Sequence, residues 1–265
     1  MRRLAVLLAV VALGTTLTGC RDDTVRLTFR PRVGASYLYE TRVRTVTEVE
    51  LEGSEPDVTR DDTILQARHT VLDAGAGGVR VRVVLQASGE EPRAYVVRFD
   101  RAAQLQGIER IEGIPPAALG ELGIAEIFPA ATGAPPPRRL SPGARWRIAD
   151  EVTLPGIEGS PRLVGRGVLE EVGIVDGHDV ARVRTSSRLP LRAVSDTPNG
   201  ELRFEGMETT RYRATHDLDD GAVRSSSSFT VGTFRIVLSP PLGRTGDPLP
   251  GTLHVEIRSE TRLVE

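Results

Sequence analysis

Cysteine, lysine and aromatic residues are scarce or missing in this chain. Its 265 residues include one cysteine, no lysine and eleven aromatic side chains. A single thiol excludes an intramolecular disulfide, so a hydrophobic core built mainly of Val, Leu, Ile and Ala must stabilise the fold. The 34 arginines nearly balance the 36 acidic residues, for a formal net charge of −2. This mixed charge argues against a nucleic-acid partner, which would require a basic surface.

The chain also lacks an apolar run long enough to cross a bilayer as a helix, which needs about 20 residues. Its longest apolar run is Leu4–Leu13, which follows Arg2 and Arg3 and precedes small or polar residues up to Gly19. This order predicts the apolar region of a signal peptide. The alternative interpretations are a buried helix and an ordinary secretory signal that a cysteine follows by chance. The only cysteine, Cys20, stands directly after this segment.

The sequence Leu17-Thr18-Gly19-Cys20 resembles a bacterial lipobox. The resemblance implies cleavage before Cys20, a diacylglycerol on its sulfur and an acyl chain on the new amino group, with no other cofactor. Several acyl chains on one residue anchor a protein stably, whereas one chain holds only weakly. We therefore expect residues 1–19 to be a lipoprotein signal peptide. The mature chain would be tethered through Cys20 to the extracytoplasmic face of a membrane in the cell envelope.

Period-two alternation dominates the rest of the sequence. After a short tether, residues 20–24, an alternating run begins at Val25, and residues 35–51 alternate β-branched or aromatic side chains with charged ones. Such a run predicts a half-buried antiparallel strand. Because strands usually have five or six residues, a strand of this length indicates a large curved sheet. Further alternating runs extend to Leu263, so the sequence predicts a mainly β, half-barrel-like sheet with its last strand paired inside it.

The alternating runs fall into two groups. We expect a first β half in residues 25–128, ending in one short helix near 115–128, then a Pro-rich linker, 129–142, and a second β half, 143–265. The stretch 31–37 is echoed by 141–146, and this echo suggests two duplicated halves. The sequence leaves open whether they form one sheet or two domains.

Three short motifs add a resemblance that covers most of the mature chain. They are Gly34-Ala35-Ser36-Tyr37, Phe128-Pro129 before the Pro-rich stretch, and Pro142-Gly143-Ala144-Arg145-Trp146. Together with the lipobox they resemble a class of bacterial envelope lipoproteins, many of unknown function. More loosely, a long curved sheet with one helix resembles the half-barrel of periplasmic lipoprotein-carrier and mycobacterial lipid-binding lipoproteins. That resemblance implies a concave apolar surface that holds acyl chains.

Seven aromatic residues are the candidates for lining such a surface, although residues of this kind often belong simply to a core. They are Tyr37, Tyr39, Tyr95, Phe99, Trp146, Phe204 and Tyr212.

Motifs for metal binding or catalysis do not emerge from the sequence. The stretch 216–221, His-Asp-Leu-Asp-Asp-Gly, is acidic, but its spacing departs from that of a calcium-binding loop, and a hairpin turn explains it. The four histidines are dispersed, and no Gly-x-Ser-x-Gly motif occurs. We therefore expect no metal site, no catalytic residues and no enzymatic activity.

Two hypotheses for function follow. The first is a non-enzymatic protein that binds a lipid or another apolar ligand on a concave β surface. The second is a structural or interaction lipoprotein that docks onto a partner protein of the envelope. An unpaired edge or exposed patch would favour the second. A hydrolase would need a clustered nucleophile and base, which the sequence does not show.

Overall fold

The fold was determined as a computed structural model that describes residues 24–87, 91–99, 105–112, 135–136, 138–151, 161–197, 200–240 and 246–264. The predicted signal peptide, Cys20 and the predicted helix near 115–128 lie outside these ranges, as does half of the predicted linker.

The described residues are almost entirely β-structure. The strands are β1 Ser36–Leu51, β2 Asp57–Gly75, β3 Gly78–Ala87, β4 Arg93–Phe99, β5 Leu105–Glu112, β6 Arg145–Glu151, β7 Arg162–Val175, β8 His178–Thr197, β9 Gly200–Asp217, β10 Val223–Ser239 and β11 Leu249–Leu263. The 16-residue β1 confirms the long first strand predicted from alternation. β8, with 20 residues, is longer still.

All eleven strands belong to one antiparallel sheet. Its order is β5-β4-β3-β2-β1-β11-β10-β9-β8-β7-β6. Each strand pairs with its neighbour in sequence, except that β1 pairs with β11 in the middle of the sheet and β5 and β6 form its two edges. The large antiparallel sheet and the internal position of the last strand are thus confirmed. The two groups of alternating runs form one continuous sheet.

Alternation along the strands separates a buried face from an exposed one. On β2 and β3 the predicted inward positions are all buried: Leu65, Ala67, His69, Val71, Val79, Val81, Val83 and Leu85. We call the face that carries these side chains the inner face, and the opposite face the outer face. Valines and leucines dominate the inner face, as the composition required.

A segment before β1 covers one end of the inner face. We call residues 24–35 the strap. Val25 forms a single bridge with Leu140, and Leu27 and Phe29 are buried in the main core. Arg30 donates from its side chain to the carbonyl oxygens of Leu218 and Asp219, in the turn between β9 and β10. The alternation that begins at Val25 therefore reflects packing of the strap and not a strand of the sheet.

The two sequence stretches that echo each other have the same backbone geometry. Gly34 and Gly143 have φ angles of 82° and 84°, in the left-handed region that favours glycine. Each turn makes the same three hydrogen bonds between backbone N–H and carbonyl groups. These are Ala35 to Arg32, Gly34 to Val71 and Val71 to Ala35 in the first turn, and Ala144 to Ser141, Gly143 to Leu169 and Leu169 to Ala144 in the second.

Gly167 on β7 lies under the indole ring of Trp146, its cross-strand partner on β6. A Cβ atom at this position would overlap the ring, whereas Gly173 on the same strand has no atom within 4 Å of such a Cβ. We expect Gly167→Ala to lower the free energy of unfolding by about 1–3 kcal/mol, because overfilling a packed site displaces its neighbours. Urea unfolding followed by Trp146 fluorescence measures this loss. Gly173→Ala is the control, and an equal effect of both substitutions would contradict the packing argument.

Candidate functional site

Six of the seven aromatic residues proposed as ligand-binding lie in the main core. Tyr37, Tyr39, Tyr95, Phe99, Trp146 and Tyr212 are all buried in one cluster with the inner-face valines. The strap contributes Phe29, whose ring meets that of Phe99 edge-on with the centroids 6.0 Å apart. These side chains contact other parts of the protein, so the aromatic set mainly stabilises the fold at the strap end of the sheet.

Phe204, the seventh aromatic residue, lies elsewhere. It is half-buried and packs edge-on against Phe234, with ring centroids 5.5 Å apart. Phe234 belongs to a second, smaller cluster on the inner face, with Leu189, Leu191 and Ile236. Half-buried apolar side chains surround this cluster, namely Val49, Leu51, Leu163, Leu202, Phe204 and Leu253. The structure therefore does not bring the seven aromatic residues together.

A belt of hydroxyl side chains separates the two apolar clusters. Its cross-strand pairs are Thr41 with Thr261, Ser228 with Ser259, and Thr210 with Thr230, with oxygen atoms 2.8–3.0 Å apart. All six side chains are buried, and buried hydroxyls are tolerated when they bond to each other. Thr185 and Ser187 extend the buried polar positions onto β8. The inner face is thus apolar at both ends and polar between them.

Two buried polar atoms of the inner face make no hydrogen bond in the structure. They are Nε1 of Trp146 and Oγ1 of Thr185. Both residues are paired in register with Gly167, one from each side. Buried polar groups of this kind normally have a hydrogen-bond partner.

The strand β10 shows where the sequence pattern misleads. Val223, Phe229 and Val231 are the apolar residues of its first half, and strict alternation would place all three on the buried face. Val223 is buried, but beyond it the structure buries Ser228 and Thr230, while Phe229 lies on the outer face under the guanidinium of Arg258, 5.0 Å from the ring centroid. A register shift between Val223 and Ser225 changes which residues point inward.

The acidic turn 216–221 is tied to the strap and to three strands. Asp217 Oδ2 lies 3.2 Å from both His178 Nδ1 and Arg224 Nη1. Asp217 Oδ1 accepts a hydrogen bond from the backbone N–H of Asp219, and Asp220 accepts one from the hydroxyl of Tyr37 at 2.6 Å. Burial, together with the bond to Asp220, raises the pKa of Tyr37 above its ordinary value, so this hydroxyl remains a donor.

Through these contacts, the acidic turn links the strap to the sheet. Arg30 of the strap strengthens this link, because its backbone N–H donates a hydrogen bond to the carbonyl of Asp220. The prediction that 216–221 is a hairpin turn is confirmed, since it connects β9 to β10. Within the described ranges, no group of three or more His, Cys, Asp or Glu side chains is arranged to hold a metal ion.

A groove runs along the outer face of β10, and we call it the β10 groove. It has a volume of about 580 Å³. Ser225 and Ser227 form its floor, and their small side chains lie between Arg213 on β9 and Arg262 on β11. The full lining is Glu40, Arg42, Arg182, Arg213, Ala214, Thr215, Ser225, Ser226, Ser227, Glu260, Thr261 and Arg262. A smaller hollow of about 350 Å³ shares Ser227 and Glu260 and continues to Phe229 and Arg258.

Exposed ion pairs hold the walls of the β10 groove. Arg262 contacts Glu40 at 2.6 Å, Arg213 contacts Glu170 at 3.1 Å, and Arg182 contacts Glu171 at 2.7 Å. Arg42 pairs with Asp62 at 2.6 Å. Its hydrogen bond lowers the pKa of the Asp62 carboxyl below the ordinary value. Exposed pairs of this kind contribute little to stability, so the arginines can exchange partners readily.

The β10 groove as a whole has no signature in the sequence alone. Its residues come from β1, β8, β9, β10 and β11, and their shared face becomes apparent only once the strand order is known. The run Ser225–Ser228 is the one local signal, because four serines in a strand leave low positions between larger side chains.

Comparisons with known proteins do not assign this chain to a family. No family model matches it, and no curated protein matches it. Among solved structures, the chain is similar to a loop L8 deletion mutant of OmpT, an outer membrane protein of Vibrio cholerae, with 8% sequence identity. The match covers 88% of this chain and 100% of the other at a TM-score of 0.21, which is too low to support an argument about fold or function. None of the described residues forms a helix long and apolar enough to span a bilayer.

His216 gives the acidic turn a pH-dependent stability. Burial lowers the pKa of this imidazole from its ordinary value of 6.5, against a weaker opposing contact of Nδ1 with the carbonyl of Gly221, 3.4 Å away. The unfolded chain therefore binds a proton at His216 before the folded chain does. The stability that the buried, neutral His216 contributes is complete above pH 6.5. It is lost as the pH falls below that value.

We expect His216→Gln to lose less stability than the wild-type protein between pH 7 and pH 5, in urea unfolding at matched pH values. The control is His254→Gln, which replaces an exposed histidine. Its free energy of unfolding should fall with pH between pH 7 and pH 5 with the same slope as that of the wild type. If His216→Gln retains that slope as well, burial of this imidazole is not the source of the pH dependence.

Proposed function

We propose that the chain is a non-enzymatic, lipid-anchored interaction module of the bacterial cell envelope, which binds a partner protein through the β10 groove. The observation that carries this proposal is the groove itself, which is open, crosses the central strands of the sheet and is lined largely by charged and hydroxyl-bearing residues. It lies on the face opposite the buried aromatic residues, so binding there requires no opening of the core.

The position of the strap is compatible with tethering through Cys20 to a membrane while the β10 groove stays accessible to a partner. The strap begins at Thr24, four residues after Cys20, and four extended residues span about 14 Å. With Cys20 lipidated, the strap end of the sheet would lie close to the membrane. Glu40 and Arg42 of the groove are four and six residues into β1 from Ser36, which corresponds to about 14–20 Å along the strand. The groove would therefore open sideways above the membrane surface.

The His178–Asp217 pair supports a non-enzymatic role. An imidazole on a carboxylate also occurs in catalytic triads, but here both oxygens of Asp217 are engaged. Arg224 contacts Oδ2, and the N–H of Asp219 donates to Oδ1. These contacts fix the turn, and fixing the turn explains them without a reaction.

Site-specific photocrosslinking in envelope membranes of the native host tests the interaction. A photoreactive phenylalanine analogue at Ser225 or Ser227 is expected to form an adduct with one protein. The same analogue at Thr233, an exposed outer-face position on the same strand outside the groove lining, should form none. Failure to form adducts from the groove, or equal adducts from Thr233, would contradict the proposal.

The second apolar cluster favours a second candidate function, the binding of a lipid or another apolar ligand on the inner face. Phe204 and its half-buried neighbours offer apolar surface, and Thr185 Oγ1 and Trp146 Nε1 could bond a ligand oxygen. Leu191 lies six residues from Thr185 along β8, about 20 Å away. This span suits a long acyl chain with a carbonyl or carboxyl group at one end.

Native mass spectrometry of the full chain, before and after organic extraction, tests this second candidate. A lipid adduct beyond the covalent anchor, removed by extraction and reduced in Phe204→Asp, would support it. Phe229→Asp is the matched control, because Phe229 lies on the outer face. An unchanged mass after extraction and after addition of lipids would exclude this candidate.

A further inference from the structure

The walls of the β10 groove carry more positive than negative charge, although the whole chain is slightly acidic. Four arginines and two glutamates line it: Arg42, Arg182, Arg213 and Arg262, with Glu40 and Glu260. The formal net charge of the lining is therefore positive, against −2 for the chain. Arg213 on β9 flanks Ser227, with Glu260 on the other side, and Arg262 on β11 flanks Ser225, so the two guanidinium groups lie diagonally across the low serine floor. This arrangement is complementary to a ligand with several carboxylates.

The shape of the groove fits a single extended chain. Its floor follows alternate residues of one strand, from Ser225 through Ser227 to Phe229. Its walls stand on the two adjacent strands, which lie about 10 Å apart. Long arginine side chains border the floor of the groove, so the flat surface of a bilayer cannot reach that floor. A polypeptide in extended conformation can, and it presents a side chain toward the floor at every second residue.

The existing ion pairs make the arginines available at little cost. Arg213 and Arg262 have side-chain exposures of 57% and 69%, although their glutamate partners, Glu170 and Glu40, are only 22% and 32% exposed. A guanidinium group can bind a second carboxylate in bidentate geometry. At the far end, the ring of Phe229 with Arg258 above it adds an apolar contact that is itself bordered by positive charge.

We propose that the β10 groove binds an extended acidic segment of a partner protein. This inference rests on the proposed function, because it names the chemistry of the partner for the same surface. Carboxylates of the segment pair with Arg213 on one wall and Arg262 on the other, and its backbone bonds the hydroxyls of Ser225 and Ser227.

Binding of a fluorescein-labelled oligoglutamate peptide to the full chain in detergent, followed by fluorescence anisotropy, tests the inference. We expect Arg213→Glu and Arg262→Glu each to weaken binding by about tenfold or more, since each replaces an attraction with a repulsion. Ser227→Trp should weaken it to a similar degree by filling the floor without a change of charge. Arg235→Glu is the matched control, because Arg235 is exposed on the outer face of the same strand outside the groove lining, and it should bind like the wild type. Affinity should fall as salt is raised.

Three results would overturn the inference. They are equal affinity of the Arg213→Glu and Arg235→Glu variants, equally tight binding of an oligolysine peptide, and groove-dependent binding to anionic phospholipid vesicles without binding to oligoglutamate. Urea unfolding of each variant ensures that a loss of binding is not a loss of folding. If crosslinks still form from Ser225 when oligoglutamate does not bind, only the acidic chemistry of the partner is wrong. If neither crosslinks nor peptide binding occur, the interaction function itself fails.

Discussion

Pairing between the first and the last strand is the contact on which the rest of the sheet depends. Arg262 donates to Glu40 across this pair although 222 residues separate them, and the register continues from Tyr39–Leu263 to Leu51–Gly251. Closing so long a loop costs conformational entropy, but that cost grows only slowly with length. In return, the pairing joins two meanders into one sheet. Without it, each meander would leave a long strand exposed at an edge. The same pairing places β1, β11 and β10 side by side and so creates the β10 groove.

The two faces of this sheet have different roles. On the inner face, Val, Leu and aromatic side chains pack under the strap, and hydroxyls that would be costly to bury alone bond to each other across strands, as Thr41 does with Thr261. On the outer face, charged side chains of neighbouring strands form exposed pairs that contribute little to stability. A surface of this kind can exchange its internal partners for those of another molecule. The core stabilises the sheet, and the outer face remains open to interaction.

Local patterns are sufficient to predict β2 and β3, but they give no strand at β5, Leu105–Glu112. Side chains alternate cleanly in β2 and β3, and every predicted inward residue from Leu65 to Leu85 is buried, because a strand places alternate residues on opposite faces. The same rule failed on β10, where Ser228 and Thr230 are buried and Phe229 is not. A register shift near Val223 reverses the faces, and the sequence has no strong signal for it. Seven aromatic residues were predicted to share one surface, but Phe204 packs with Phe234 in the second cluster.

The sequence alone predicts the class of structure: a mainly β chain without disulfides, with long strands, a hairpin turn at 216–221 and a last strand suited to pairing. These properties follow from alternation and turn residues, which act over a few positions. Only the tertiary structure shows that the acidic turn 216–221 contacts the strap through Arg30 and β1 through Tyr37. It also decided that arginines from distant strands share one groove with Ser225 and Ser227. The physical reason is that strand order and register set which distant residues become neighbours. Both depend on the summed packing of the whole sheet, which no short stretch of sequence contains.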